Sequence, residues 1–217
     1  MDFIKIVGDV VGTGLSYISS PLFHLSLRIF PYRIFQQVTI GRRQGDTPEN
    51  LLMEIKSVKL SHNKEFSECV QGVVPSLLNI ILEEAVNSSK GSSNRLMGIM
   101  SSAKTLMAVG GWGYTIIKPL IQSQVSDGLV LIEMIEEAAV AEGSPFYSVF
   151  RMILQVLHES ELLAEEALDE WISRRKDEGK QSSIGKLFNE PQVQEFVHWL
   201  HDEDEDDDED EEGEEED

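Results

Sequence analysis

Acidic and aromatic residues are set together in two segments near the C-terminal end of the sequence. The first segment contains Glu165, Glu166, Asp169, Glu170 and Trp171; the second contains Glu195, Phe196 and Trp199 and leads into Asp202 and Glu203. Carboxylates attract cations over a long range, and aromatic faces hold lysine or arginine side chains at short range. The two segments therefore predict a surface that binds a strongly basic partner.

The second segment is followed by an almost purely acidic tail, Asp202–Asp217, in which every residue except Gly213 is acidic. The tail holds 15 of the 39 acidic residues, which leaves 24 against 18 Lys and Arg elsewhere, or a net −6. Charges of one sign at this density repel each other and bury nothing, so we expect residues 202–217 to be disordered. Both a solubilising role and partner binding stay open for the tail. Duplex nucleic acid is excluded as a partner, because binding it requires a basic surface.

The sequence contains few residues or motifs that indicate covalent catalysis or metal binding. Cys69 is the only cysteine, which fits a reducing compartment such as the cytoplasm and predicts a small buried side chain, not a nucleophile. The five histidines show neither H-E-x-x-H nor Cys-His metal spacing, and no G-x-S-x-G motif is present. We therefore predict no covalent catalysis, no metal and no cofactor.

The N-terminal residues 1–45 are apolar but interrupted by glycine, proline and charged residues. No uninterrupted apolar run reaches the length of a membrane span. We predict a leader that is poorly ordered or loosely packed on the domain. A membrane-associating segment is the second, less favoured interpretation.

The elements that must position the acidic-aromatic segments are helices, predicted over residues 46–201. Thr47 and Pro48 form a helix start, and apolar residues then recur at intervals of three and four. Pro75 lies within such a pattern and is expected to kink or split its helix. No strand pattern is evident, so the sequence predicts an all-α stack of antiparallel helix pairs with short connections.

Residues Asn50–Asn63, with the sequence NLLMEIKSVKLSHN, resemble the opening segment of the C-terminal domain of the epsilon subunit of eukaryotic translation initiation factor two-B. The two acidic-aromatic segments around Trp171 and Trp199 are similar to the aromatic/acidic boxes of the same domain. The resemblance covers about residues 46–217. The initiation factor five family shares the boxes but lacks the segment around Glu54, so the epsilon subunit is preferred.

The resemblance implies a HEAT-like helical domain that docks on initiation factor two, a heterotrimeric GTPase, and promotes release of its GDP. Glu54 matches the glutamate that serves exchange, and Asn50 belongs to the same segment. The boxes match the residues that bind lysine-rich blocks on the beta subunit, while the gamma subunit carries the GTPase. Other exchange-factor subunits are further possible partners.

The chain departs from the family at its N-terminal end. A nucleotidyltransferase-like domain and a β-helix domain do not fit into 45 residues, and Val38–Gly45 replaces the helical segment expected before the Glu54 helix. We therefore expect a truncated or divergent copy. Two functions remain open: guanine-nucleotide exchange, and docking on initiation factor two without exchange. Trp171 and Trp199 are expected to be partly buried and partly exposed.

Overall fold

The computed structural model describes residues 29–88, 95–121 and 125–207, with side chains up to residue 200 apart from Ser88. These residues form α-helices and two short 3-10 turns, and no strand occurs among them, which confirms the all-α prediction. The α-helices are α1 (Ile29–Gln44), α2 (Pro48–Ser61), α3 (Phe66–Ser88), α4 (Arg95–Met107), α5 (Trp112–Ile117), α6 (Val125–Val140), α7 (Phe150–Glu159), α8 (Glu165–Lys176), α9 (Ser183–Phe188) and α10 (Pro191–Asp207).

The helices form a layered stack around α3. This helix packs against α1, α4 and α6; α6 in turn packs against α8, and α10 packs against α7. The arrangement is that of a HEAT-like domain, as predicted. Within the described ranges, α3 is also the one helix long and apolar enough to cross a membrane, but 78% of its most apolar window is buried against its neighbours. Its apolar character is therefore accounted for by the core of the stack.

The start of α2 follows the prediction from Thr47 and Pro48. The Thr47 hydroxyl accepts a hydrogen bond from the Asn50 backbone N–H at 3.3 Å, and Pro48 occupies the first turn. Leu51 and Ile55 are buried on the inner face of α2. Pro75 does not split α3, which is continuous from Phe66 to Ser88.

The prediction of a loosely packed leader is wrong for residues 29–44, which form α1 and belong to the core. Phe30, Ile34 and Val38 recur every four residues and are buried against α3. Pro31 lies in the first turn, where a proline costs no hydrogen bond. Val38–Gly45, which was expected to stand in place of a helical segment, is itself helical as far as Gln44. The part of the leader before residue 29 lies outside the described residues.

The predicted boundary of the acidic tail at residue 202 does not coincide with the end of α10. The helix continues through Asp202 and Glu203 to Asp207. The preceding turns, anchored by buried Val193, Phe196 and Leu200, provide a nucleus from which the helix extends into the acidic run. Residues 208–217 lie outside the described part of the chain.

Candidate partner-binding site

The acids of the first segment lie on the outer face of α8. Glu165, Glu166, Asp169 and Glu170 are all exposed, while Ala167, Leu168, Trp171 and Ile172 are buried on the opposite face. Glu165 and Glu166 occupy the first turn, where the helix dipole favours negative charge. Glu170 accepts a hydrogen bond from Arg174 Nε at 2.8 Å. The helix thus presents a ridge of carboxylates to solvent.

Trp171 itself is a core residue, and the prediction that part of its ring is exposed is wrong. Its exposed fraction is 0%, and its ring packs against Phe150 and Phe188 with centroid distances of 6.2 and 5.4 Å. The indole therefore has no face available to a partner in this structure. Its contribution to the site is to fix α8 so that the acidic ridge faces outward.

A buried ion pair completes this attachment of α8. Trp171 Nε1 donates a hydrogen bond to Glu136 Oε1 of α6 at 2.9 Å. Arg175 donates to both oxygens of the same carboxylate, from Nε at 2.9 Å to Oε1 and from a terminal nitrogen at 2.6 Å to Oε2. The hydrogen bond to Glu136 raises the pKa of Arg175, so the guanidinium keeps its charge. A carboxylate that is 1% exposed is thereby paired and hydrogen-bonded, as a buried charge requires.

The second segment combines exposed and buried positions on α10. Phe196 is fully buried and is unavailable to a partner, whereas Glu195 is exposed. Trp199 is half-buried, as predicted. Its ring centroid lies 5.6 Å from that of Phe196 and 5.8 Å from that of His158 on α7, with the His158 ring in a T-shaped arrangement. Asp202 and Glu203 lie on the next turns of α10. Of the two indoles, Trp199 is the one that a partner can reach.

The predicted exchange residue lies on a different part of the stack. Glu54 is exposed on α2, together with Asn50 and the apolar side chains of Met53 and Leu60. Gln37 Nε2 of α1 donates a hydrogen bond to Glu54 Oε2 at 2.7 Å. Glu54 is therefore exposed on one side and held from the other by a neighbouring helix.

The two candidate surfaces belong to separate helix layers. The α2 helix packs against α1, α3 and α5, whereas α8 packs against α6. The structure therefore does not combine Glu54 and the acidic ridge into one site. A partner that engages both must contact the domain at two places.

The described residues contain no group of His, Cys, Asp or Glu side chains that could hold a metal ion. Cys69 is buried, and this burial raises its pKa to about 11, so the thiol stays protonated at neutral pH. A protonated, buried thiol is a poor nucleophile. Its environment agrees with the structural role predicted for it.

Sequence reasoning missed three residues that shape these surfaces: Gln37, Glu136 and Arg175. Glu136 follows apolar residues of α6 at helical spacing, and a carboxylate on the buried face of a helix is a signal for a buried ion pair. Arg175 lies in the last turn of α8, where a cation is already explained by the helix dipole, so its sequence position gave no signal of a buried pair. Gln37 had no detectable signal, because its role depends on the position of α1.

The C-terminal part of the chain is similar to a known protein family. Residues 127–210 match the W2 family, described as eIF4-gamma/eIF5/eIF2-epsilon. The matched range contains all but the first two residues of α6 and the whole of α7 to α10, and hence the acidic ridge, the Glu136–Arg175 pair and Trp199. Residues 127–210 are therefore similar to the W2 domain, which is a protein-interaction domain of translation initiation.

Proposed function

We propose that this chain acts in the cytoplasm as a guanine-nucleotide exchange domain for initiation factor two. In this proposal the acidic ridge of α8 and the acidic end of α10 bind lysine-rich segments of the beta subunit. The face of α2 that carries Asn50 and Glu54 then acts on the GTPase of the gamma subunit. No covalent chemistry by the chain is required.

The observation that carries the proposal is the acidic ridge within the W2-type domain. Four carboxylates are exposed on α8, and a buried ion pair keeps the helix in its orientation. A rigid row of carboxylates attracts a polycationic segment without first paying the cost of ordering its own backbone. The half-buried Trp199 adds an aromatic surface on α10 for lysine or arginine side chains.

Exchange is supported by the separate surface on α2. An exchange factor accelerates GDP release when it binds the nucleotide-free GTPase more tightly than the nucleotide-bound form. A carboxylate favours the nucleotide-free form if it competes for the cations that hold the nucleotide phosphates. Glu54 is exposed for such a contact, and Met53 and Leu60, which are 63% and 75% exposed, provide apolar contact area on the same helix.

The proposal is tested by GDP-release kinetics of initiation factor two with the full chain and with Glu54→Ala. We expect Glu54→Ala to reduce the catalysed rate at least about tenfold, which corresponds to about 1.4 kcal/mol of lost stabilisation of the transition state. Glu49→Ala is the matched control, because Glu49 is an exposed glutamate in the first turn of the same helix. Equal rates for the wild type and Glu54→Ala would exclude Glu54 from the mechanism.

The alternative function is docking on initiation factor two without exchange. The separation of the two surfaces supports this alternative. The acidic ridge lies on a different layer from Glu54, so binding does not require the α2 face. The alternative predicts that the chain binds the beta subunit but leaves the rate of GDP release at its uncatalysed value. Measurement of both quantities on the same preparation separates the two functions.

A further inference from the structure

We propose that Gln37 is a positioning residue for Glu54, and that α1 is therefore part of the exchange site. The inference rests on the proposed function and adds to it a residue from a helix that lies outside both the family match and the resemblance. Gln37 is half-buried, and it reaches Glu54 from α1 across a sequence separation of 17 residues.

The geometry of the contact leaves one Glu54 oxygen available. Gln37 Nε2 donates to Oε2 at 2.7 Å, a short distance for a hydrogen bond between an amide and a carboxylate. A free glutamate on a helix surface samples several rotamers. The hydrogen bond restricts this sampling, so that Oε1 is presented in a defined direction before the partner arrives.

The helix that carries Gln37 is itself firmly held. Phe30, Ile34 and Val38 on one face of α1 are buried. At the point where α1 crosses α3, Gly72 allows the backbone of Pro31 to approach so closely that no side chain would fit between them. A second interhelical contact, between Arg33 and His62 Nε2 at 3.1 Å, ties α1 to the end of α2. Gln37 therefore projects from a fixed platform, which is what a positioning residue requires.

The test compares Gln37→Ala and Gln37→Glu in the full chain, with GDP release measured over a range of chain concentrations. We expect Gln37→Ala to lower the rate at saturation about fivefold, which is within the range for loss of one typical hydrogen bond. The concentration at half-saturation should change less than about twofold, because the residue acts through Glu54 and not through the docking surface. Gln36→Ala is the matched control, since Gln36 is the adjacent amide and its side chain bonds within α1 to Tyr32.

Gln37→Glu separates positioning from packing. Glutamate has the shape of glutamine but cannot donate to a carboxylate at neutral pH, and it adds a repelling charge. We expect it to be at least as slow as Gln37→Ala. A rate equal to that of the wild type for Gln37→Glu, with a slow Gln37→Ala, would overturn the inference in favour of a packing role.

The double variant Gln37→Ala/Glu54→Ala completes the test. If Gln37 acts through Glu54, the double variant is no slower than Glu54→Ala alone. Additive losses overturn the inference. A slow Glu54→Ala combined with a normal Gln37→Ala overturns the positioning role but leaves the proposed function intact, whereas a normal Glu54→Ala overturns both.

Discussion

The neighbouring residues Arg174 and Arg175 on α8 are expected to contribute very differently to the stability of the fold. Arg175 is 13% exposed and is paired with Glu136, which is 2% exposed at its side chain. We expect Arg175→Met to destabilise the fold by about 3–5 kcal/mol, because it leaves a buried carboxylate without its counter-charge. Urea unfolding followed by circular dichroism at 222 nm measures the loss.

Arg174→Met is the control for this prediction. Arg174 is 48% exposed and pairs with Glu170 at 2.8 Å and Glu133 at 3.5 Å, both near the surface. Exposed pairs of this kind contribute about 0–1 kcal/mol, so its unfolding midpoint should stay close to that of the wild type. Similar losses for the two variants would mean that the Glu136 carboxylate is reached by water or finds another partner when Arg175 is removed.

At the residue scale, the sequence predicted that the acids of α8 face solvent but not which aromatic ring does. The acids of α8 were expected outside because acidic side chains are rarely fully buried. The fates of Trp171 and Trp199 depend on contacts made far along the chain. The buried N–H of Trp171 is satisfied by Glu136, 35 residues away, and that pairing follows only from how α6 and α8 pack.

At the scale of helices, α1 shows how a correct local pattern was misread. Ile34 and Val38 have helical spacing, but Pro31 was expected to interrupt a helix. Proline in the first turn is compatible with a helix, and Gly41 is required for close packing, since a Cβ there would lie 3.0 Å from both Leu51 Cδ1 and an Asp46 carboxylate oxygen. Gly41 is therefore a packing contact of α1 against Leu51 of α2.

The crossing of α1 and α3 yields a prediction for Gly72. A Cβ at this position would lie 2.7 Å from the Cβ of Ile34 and would also clash with the Pro31 carbonyl oxygen. We expect Gly72→Ala to push α1 away from α3 and to cost about 1–3 kcal/mol, despite the better helix propensity of alanine. Hydrogen exchange should show faster exchange of the α1 amides than in the wild type.

Gly179→Ala serves as the control, because nothing lies within 4 Å of a Cβ at that position. Its α1 amides should exchange as in the wild type. Unchanged α1 protection in Gly72→Ala would mean that the crossing relaxes without separating the helices, and the platform proposed for Gln37 would then be less rigid than its packing indicates.

At the scale of the whole molecule, negative charge is concentrated towards the C-terminal end, and the question is whether a basic partner responds to the ridge or only to the total charge. Glu165→Gln/Glu166→Gln/Asp169→Asn removes three charges from the ridge. Glu49→Gln/Glu65→Gln/Glu142→Gln removes three exposed charges from dispersed positions and leaves the same net charge. The two triple variants therefore differ in where the charge is lost and not in how much.

Binding of a fluorescent polylysine peptide to the two variants distinguishes these cases by its salt dependence. At physiological ionic strength, charges more than about 8 Å apart are largely screened, so only carboxylates next to the peptide contribute. We expect the ridge variant to lose about tenfold in affinity and the dispersed variant less than about twofold, with the difference shrinking as salt is added. Equal losses at physiological salt would show that the peptide senses the summed field of the molecule. The ordered ridge on α8 would then have no specific part in binding.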